Sequence, residues 1–529
     1  MPFVLIALRM STDALVNTEI KELIRQVVQQ YVMNQYPWGL ITRPLTPVSK
    51  VVLLITYVIT IVMLTLSLLQ IIVLVRYGVN SLAYLKKARL GNDDYNPPST
   101  GRLPFVSILI PIKGESIQTI ERSLQNLARL NYPRDLLEVI YISDDPEYYV
   151  DSIINIVGSL SRRLGINARV IHRVRGTGYK GGALNYGLKH ARGDVIAVFD
   201  IDTALPSNYL LSTVAALMNG FDAVTAVWKG YYTVDNAFSR LMKFMYDVYN
   251  EVLIRGRFLS GGFPAISGNN LVIWRRVLEA VNGFCECTGE DLDLSIKLRA
   301  LGYKVGIVNS DVACEVPFTY LSFKRQFSRW LFNGVWNMKH NLRLLLTSKN
   351  MTPWEKVDGV LWMLQFPSSS FTALSILITL ILSVIGVLIP PMPILMLELL
   401  NSIAVLLLFT ELLMISKYVG YDIRNSIIQI TRTALLTVVF SFPMLVYSLE
   451  SLVTDEWEWV TTPKGPPNYK FMSFKDTLRS LIHELSIIPA ITAVMVVLVL
   501  NHQLLIMPYV LMIALVIAYG LKFVIDHTY

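Results

Sequence analysis

Val195-Ile-Ala-Val-Phe199, running into Asp200-Ile201-Asp202, is the stretch that decides the fold. It reads as a short buried strand ending in two carboxylates. Residues i and i+2 of a strand share a face, so Asp200 and Asp202 project together at its C-terminal end. Open α/β sheets bind their ligands at that edge. Like charges so placed repel unless a cation neutralises them, and Mg2+ or Mn2+ bound to a diphosphate would do so. The plainer alternative is an exposed aspartate pair that closes the strand. Val106–Ile110 and Val139–Ile142 are similar apolar runs. Polar helical stretches alternate with them, the pattern of a parallel sheet with crossover helices.

Further polar groups gather around this frame. Val139–Ile142 ends in Ser143-Asp144-Asp145, again acidic groups at a strand end. Tyr179-Lys180-Gly181-Gly182-Ala-Leu-Asn185 sets a lysine before paired glycines, which suits a phosphate approached closely by backbone. It lacks Walker spacing, and a plain helix start is the alternative. Thr288-Gly289-Glu290-Asp291 opens a helix with acids, serving either as N-terminal capping or as a base for an acceptor hydroxyl. Gln326, Arg329 and Trp330 fall on one helical face. Arg329 there could pair with diphosphate oxygens and Trp330 could offer a platform to a sugar ring, or the tryptophan could anchor the helix at a membrane.

The 529-residue chain is 53% hydrophobic and 16% charged, below the roughly 25% of soluble chains, so part of it belongs in lipid. Its net charge of +8 fits cationic cytoplasmic loops. No basic stripe interleaved with aromatics is present, which argues against nucleic acid. Cys285, Cys287 and Cys314 supply no disulfide framework and no zinc spacing, and read as ordinary thiols of a reducing compartment.

Val51–Val75 is long enough to span a bilayer, and Arg76, Lys86, Lys87 and Arg89 after it place its end in the cytoplasm. In the second half, Phe371–Ile389, Ile394–Ile415, Ile428–Val453, Ile487–Leu500 and Leu504–Ile525 are candidate spans. If all crossed, the basic segment Asp455–His483 would face outside. Ile428–Val453 also carries Arg432 and Pro443. It is therefore expected to lie in the interface or to re-enter without crossing. The expected divisions are an interfacial segment over 1–47, a first span over 48–76 and a cytoplasmic α/β domain over 95–345. Interfacial helices (Trp354–Leu364 among them) and two spans follow over 350–453, then a cytoplasmic loop over 454–483 and two spans over 484–529.

The ordered series Asp144, Asp200-Ile-Asp202, Glu290-Asp291 and Gln326-x-x-Arg329-Trp330, set among spans, resembles the D, DxD, (T)ED, QxxRW series of family-2 membrane glycosyltransferases. That group includes cellulose, hyaluronan and chitin synthases. Trp459-Val-Thr461-Thr462-Pro-Lys464 is similar to the gating loop of cellulose synthases, which folds over the nucleotide. The resemblance implies a GT-A (Rossmann-like) α/β catalytic domain inserted between transmembrane helices of a multi-pass membrane protein. It implies that Asp144, Lys180, Asp200, Arg329 and Lys464 bind a UDP- or GDP-linked sugar, and that Asp202, with Asp200, holds Mg2+ or Mn2+. Asp291, beside Glu290, would be the catalytic base, while Gln326, Trp330 and Asn269 (in Ser267-Gly-Asn-Asn270) would meet the acceptor.

The implied activity is inverting, metal-dependent hexosyl transfer to a growing β-linked polysaccharide at the cytoplasmic face of the cell membrane, coupled to export. Membrane lipids, and accessory export or regulatory subunits, are the implied partners. Transfer of a single sugar to a lipid such as a polyprenyl phosphate or a ceramide-like alcohol is the alternative, and a non-enzymatic carrier a minor one. Two departures stand out. Gly289 takes the place of the threonine of T-E-D, and Phe263-Pro-Ala-Ile266 stands where cellulose synthases carry an F-F-C-G type sequence.

Overall fold

The computed structural model describes residues 39–41, 45–88, 102–455 and 474–528. The helix expected near the N-terminus and the gating-loop residues Trp459, Thr461, Thr462 and Lys464 lie outside these. The strands are β1 (Leu40–Ile41), β2 (Val106–Ile112), β3 (Leu137–Ser143), β4 (Ala168–His172), β5 (Val195–Phe199), β6 (Ala223–Tyr231), β7 (Asn270–Trp274), β8 (Val305–Glu315) and β9 (Val387–Ile389). The principal helices begin with α1 (Pro47–Ala88), α2 (Ile117–Leu127), α3 (Glu147–Leu164), α4 (Tyr179–His190), α5 (Tyr209–Met218), α6 (Ala237–Asn250) and α7 (Glu290–Ala300). They continue with α8 (Tyr320–Thr347), α9 (Pro353–Met363), α10 (Ser370–Ile385), α11 (Met392–Val419) and α12 (Ile423–Val453). The last are α13 (Phe474–Ser480), α14 (Ile482–Leu485), α15 (Ile487–Leu500) and α16 (Met507–Asp526).

The chain divides into two compact units, the larger made of Gln70–Ala373, Val405–Leu485 and Ile517–Tyr529. Its centre is a seven-stranded sheet of order β4-β3-β2-β5-β7-β6-β8. Strand alternation sorts the apolar residues between two layers. Ile108, Val139, Tyr141, Ala197 and Phe199 face α2, α3 and α5, while Leu109, Ile140, Ile142, Ile196 and Val198 face α4 and α7. Strands buried on both faces have to be apolar throughout, which is why these runs carry no polar alternation.

The topology sends the chemistry to one edge. Strands β2, β3 and β5 are parallel, with Ser143 level with Ile112 and Val198 level with Leu109. The acidic residues after β3 and after β5 therefore leave the sheet on the same side. β7 runs antiparallel to β5 with Asn270 opposite Phe199, so Ser267-Gly-Asn269 enters from that side too. β6 is antiparallel to β7 and parallel to β8, which brings Tyr231 and Glu315 to the same edge. This mixed sheet between two helical layers is the GT-A fold.

Helices of the larger unit are fastened by buried polar contacts. Asp358, fully buried on α9, accepts from the Tyr77 hydroxyl of α1, from the Phe263 amide at 2.7 Å and from Arg257, whose guanidinium lies 3.9 Å over the Trp362 ring. Glu484 of α14 accepts from Tyr320 (2.6 Å) and pairs with Lys324 (2.7 Å), both on α8. Near the two ends of α12, Tyr421 donates to Asp247 of α6 at 2.7 Å and Asp455 pairs with Lys339 of α8 at 2.8 Å.

The smaller unit contains the first part of α1 with Leu374–Ala404 and Ser486–Val516. In it β1 pairs antiparallel with β9, Leu40 opposite Ile389. Leu53, Tyr57, Ile385, Val387 and Ile394 form its apolar core, and Asn401 donates to the Leu64 carbonyl at 3.1 Å. Among the described residues, six helices are long and apolar enough to cross a membrane, Ile423–Val453 being one of them.

Removing the Asp358 carboxylate leaves the Arg257 charge buried and unpaired. Asp358→Ala should therefore cost the fold about 3–5 kcal/mol. An unfolding midpoint in detergent equal to wild type would contradict this.

Candidate active site

The site is built around one ammonium group. Gly178 (φ 73°) and Tyr179 (φ 52°) are consecutive left-handed residues that turn the chain into α4, so that Lys180 enters its first turn. A left-handed tyrosine is strained, and such strain is kept only where neighbours hold it. Arg173 does so, donating to the Thr177 carbonyl at 2.6 Å and to the Tyr179 carbonyl at 3.4 Å. Lys180 Nζ then lies 2.7 Å from Asp200, 2.8 Å from the Gly268 carbonyl and 3.6 Å from Glu290. Burial works against its charge, but Asp200, Glu290 and Asp291 outweigh burial and hold the ammonium protonated well above the ordinary lysine range. Three motifs far apart in sequence meet at this nitrogen.

The paired glycines lie in the first turn of α4, the helix start given as one of their two readings, and backbone packs closely on both. A Cβ on Gly181 would strike the Cys285 carbonyl oxygen at 1.8 Å, and one on Gly182 the Thr177 carbonyl oxygen at 2.2 Å. They admit close packing of protein backbone on α4. The loop packed there joins Cys285 to Cys287 as a disulfide, so the plain-thiol reading fails for that pair and holds for buried Cys314.

Asp144 and Asp145 divide their tasks. Asp144 is held at both oxygens by Arg173, at 2.7 and 2.5 Å. Asp145 staples the ends of two strands, accepting from the Gly114 amide and the Ser143 hydroxyl.

Just after β5, Asp202 is buried and accepts from the Glu315 amide at 3.1 Å, while its own carbonyl accepts from Tyr231. Glu315 is fixed by Arg122 at 2.7 Å. Among the described residues, no group of three or more histidine, cysteine, aspartate or glutamate side chains could form a cage for a metal. A sparse carboxylate donor set fits Mg2+ or Mn2+, hard cations that complete their shell with phosphate oxygens and water.

Glu290 and Asp291 open α7, so helix capping and chemistry share these residues. Asp291 accepts from the Leu292 amide at 2.8 Å and the Gly268 amide at 3.3 Å. Burial raises the Glu290 carboxyl to about 7, with Asp291 and Asp200 adding to the rise and Lys180 opposing it. The departure at Gly289 has a steric cause, since a Cβ there would lie 2.7 Å from Asn337 Nδ2 and 3.0 Å from Asn333 Cβ on α8.

On α8, Gln326 Oε1 accepts from the Tyr246 hydroxyl at 2.7 Å. Arg329 is close enough to act on the same hydroxyl electrostatically, as is Asp202. Gln326 and Arg329 thus share the surroundings of the Tyr246 hydroxyl. The Trp330 ring packs at 4.7 Å from Phe327 and 5.4 Å from Phe366. The Asn269 side chain is engaged within the protein, by Cys314 Sγ and by Asn270. Arg173, Tyr246 and Glu315 are absent from the sequence expectations. A basic residue just after β4, facing the acids after β3, was the available signal for Arg173; Tyr246 offered none.

A nucleotide-sugar-type DxD edge joined to an acidic helix start and a QxxRW helix defines a glycosyltransferase. Residues 107–281 match the family model described as "Glycosyl transferase family 2" and residues 195–417 match "Glycosyl transferase family group 2". A probable glycosyltransferase of Sulfolobus acidocaldarius is 30% identical over 379 residues, 69% of this chain and 78% of that one. The chain belongs to glycosyltransferase family 2. A beta-monoglucosyldiacylglycerol synthase of Synechocystis is 28% identical over 320 residues, 55% of this chain and 65% of that one. A probable glucomannan 4-beta-mannosyltransferase of Oryza sativa is 26% identical over 243 residues, 44% and 41%. The match thus spans about two thirds of the length of the first of these two and about two fifths of the second. Among solved structures, the mannosyltransferase PcManGT of Pyrobaculum calidifontis, in complex with GDP-Man and Mn2+, aligns with a TM-score of 0.41 at 18% identity, over 74% of this chain and 99% of that one.

The raised Glu290 has a consequence for stability. Its folded value lies above the ordinary 4.5, so the proton favours the fold fully below that value, and this contribution is lost as pH rises towards about 7. The loss amounts to about 3 kcal/mol between about pH 4.5 and 7. In Glu290→Gln the fall in melting temperature from about pH 5 to pH 8 should shrink; an undiminished fall would refute the assignment.

Proposed function

We propose that this chain is a membrane-embedded inverting glycosyltransferase that moves a hexose from a UDP- or GDP-linked donor to a growing β-linked polysaccharide at the cytoplasmic face. The observation that carries the reading is Lys180, held by the aspartate pair, the Glu290-Asp291 helix start and the Gly268 backbone together. Asp144 and Lys180 serve the nucleotide and its ribose or phosphates, and Arg329 and Lys464 the diphosphate. Asp202, with Asp200 beside it, would hold a divalent cation that neutralises diphosphate charge. Asp291 takes the proton of the acceptor hydroxyl. The new bond forms at the anomeric carbon from the face opposite the departing nucleoside diphosphate, which inverts the configuration there. Gln326 and Trp330 orient the acceptor, and Asn269, whose side chain is engaged by Cys314 and Asn270, acts through its loop.

A glucomannan mannosyltransferase among the relatives supports a polysaccharide product. The second reading, transfer of one sugar to a lipid, rests on the similarity to glucosyldiacylglycerol synthases. Purified protein in vesicles, given Mg2+ or Mn2+ and radiolabelled UDP-glucose, UDP-N-acetylglucosamine or GDP-mannose, should yield a high-molecular-weight product. Asp291→Asn should lower the rate at least about a thousandfold, as removal of a general base combined with its charge does. Label confined to an organic-soluble product would establish the second reading, and full activity of the variant would overturn the mechanism.

The membrane disposition follows from charge and tethering. Basic residues end α1, and contacts near both ends of α12 join it to helices of the catalytic unit. A 31-residue helix is about 46 Å long, so a crossing would carry one end about 30 Å from the other's side. We place α12 along the cytoplasmic interface and the other five apolar helices across the bilayer. Arg424→Cys and Val453→Cys should then react with an impermeant maleimide from one side, and His502→Cys from the other. Labelling of positions 424 and 453 from opposite sides would exclude this arrangement.

A further inference from the structure

Tyr246 lies on α6, 80 residues before the QxxRW motif, and no motif includes it. Its ring is buried and packs edge-on against Trp228 of β6 at 4.5 Å. Asn250, one turn further along α6, donates to the Trp228 carbonyl at 2.9 Å and keeps that strand against the helix. Gly230, on the same strand, leaves room for the tyrosine, because a Cβ there would already lie 3.4 Å from that of Tyr246. The ring is thus locked in a socket, and its hydroxyl has one place to go. It donates to Gln326 Oε1 at 2.7 Å.

A glutamine amide has an acceptor end and a donor end, and its side chain can present either by turning over. With Oε1 bound to a fixed hydroxyl, the donor end of Gln326 faces away from Tyr246, and Nε2 donates to no described residue. Burial also holds the phenol far above its ordinary 10, so it stays protonated and keeps donating throughout the working pH range. In the observed pairing the hydroxyl donates to Oε1, and that pairing leaves the amide NH2 turned away from Tyr246.

We propose that Tyr246 is a positioning residue that fixes the Gln326 amide with its NH2 group presented to an oxygen of the acceptor sugar or lipid headgroup. The inference rests on the reading of Gln326 as an acceptor contact. It commits the acceptor to offering a hydrogen-bond acceptor oxygen at this point.

Tyr246→Phe keeps the ring and its packing on Trp228 and removes only the hydroxyl. The assay supplies UDP-glucose or GDP-mannose with manno- or cello-oligosaccharides, or with diacylglycerol in vesicles. The variant should raise KM for the acceptor about tenfold and leave KM for the donor, and donor hydrolysis without acceptor, unchanged. Gln326→Glu, which can still accept the tyrosine's bond but has no N–H, should be impaired in the same acceptor-side manner. The double variant Tyr246→Phe, Gln326→Ala should be no worse than Gln326→Ala alone, because the hydroxyl acts only through the amide. Multiplying defects, a donor KM that rises in step, or an unaltered Tyr246→Phe each overturn the inference while leaving the enzyme assignment intact. A wild-type chain inert with every donor would bring down the functional reading, and this inference with it.

Discussion

A buried ammonium needs partners, and that requirement organises the catalytic edge. Among the described residues, Lys180 is the cation that the aspartate after β5, the acid at the start of α7 and the Gly268 carbonyl all face. Without it, Asp200, Glu290 and Asp291 would crowd like charges together in a poorly solvated space, which is costly. With it, each acid fixes the position of the others. The strained turn at Tyr179 and the Arg173–Asp144 pair are best understood as the support for that one nitrogen. Binding charge in advance, before any substrate arrives, is what electrostatic preorganisation requires.

The sheet explains how so few elements suffice. Because β2, β3 and β5 run parallel and β7 returns beside β5, four separate stretches of sequence arrive at one edge without a long loop. The apolar layers on either face hold this edge rigid. Loops that leave a rigid sheet can carry chemistry, since their ends do not move.

What was legible in the sequence is what is local. A strand that ends Asp-Ile-Asp declares both its burial and its charged tip, and the spacing of Gln326 and Arg329 declares a helical face. The charge pattern reads α12 as interfacial, while its length and apolarity are also those of a membrane span; the tethers near both its ends support the interfacial placement proposed above. Contacts between distant residues were not legible. Nothing near Tyr246 in sequence points to Gln326, and nothing near Asp144 names Arg173. The close neighbours of the glycines after Lys180, the carbonyls of Cys285 and Thr177, are likewise set by the fold and not by adjacent residues. Cys285 and Cys287 looked like ordinary thiols because sequence spacing does not report the loop that pairs them.

Gly289 carries a lesson about how such sites change over time. The side chain that related motifs carry there has no room here, because Asn333 and Asn337 of α8 already fill the space. Asn337 also donates towards the Gly289 carbonyl at 3.3 Å. The start of α7 and the middle of α8 therefore form a single unit of exchange. A side chain at 289 asks the Asn337 amide to turn aside and α8 at Asn333 to give by a few tenths of an ångström, so the three positions are coupled. Single replacements drawn from a relative would meet a barrier that the combined replacement does not.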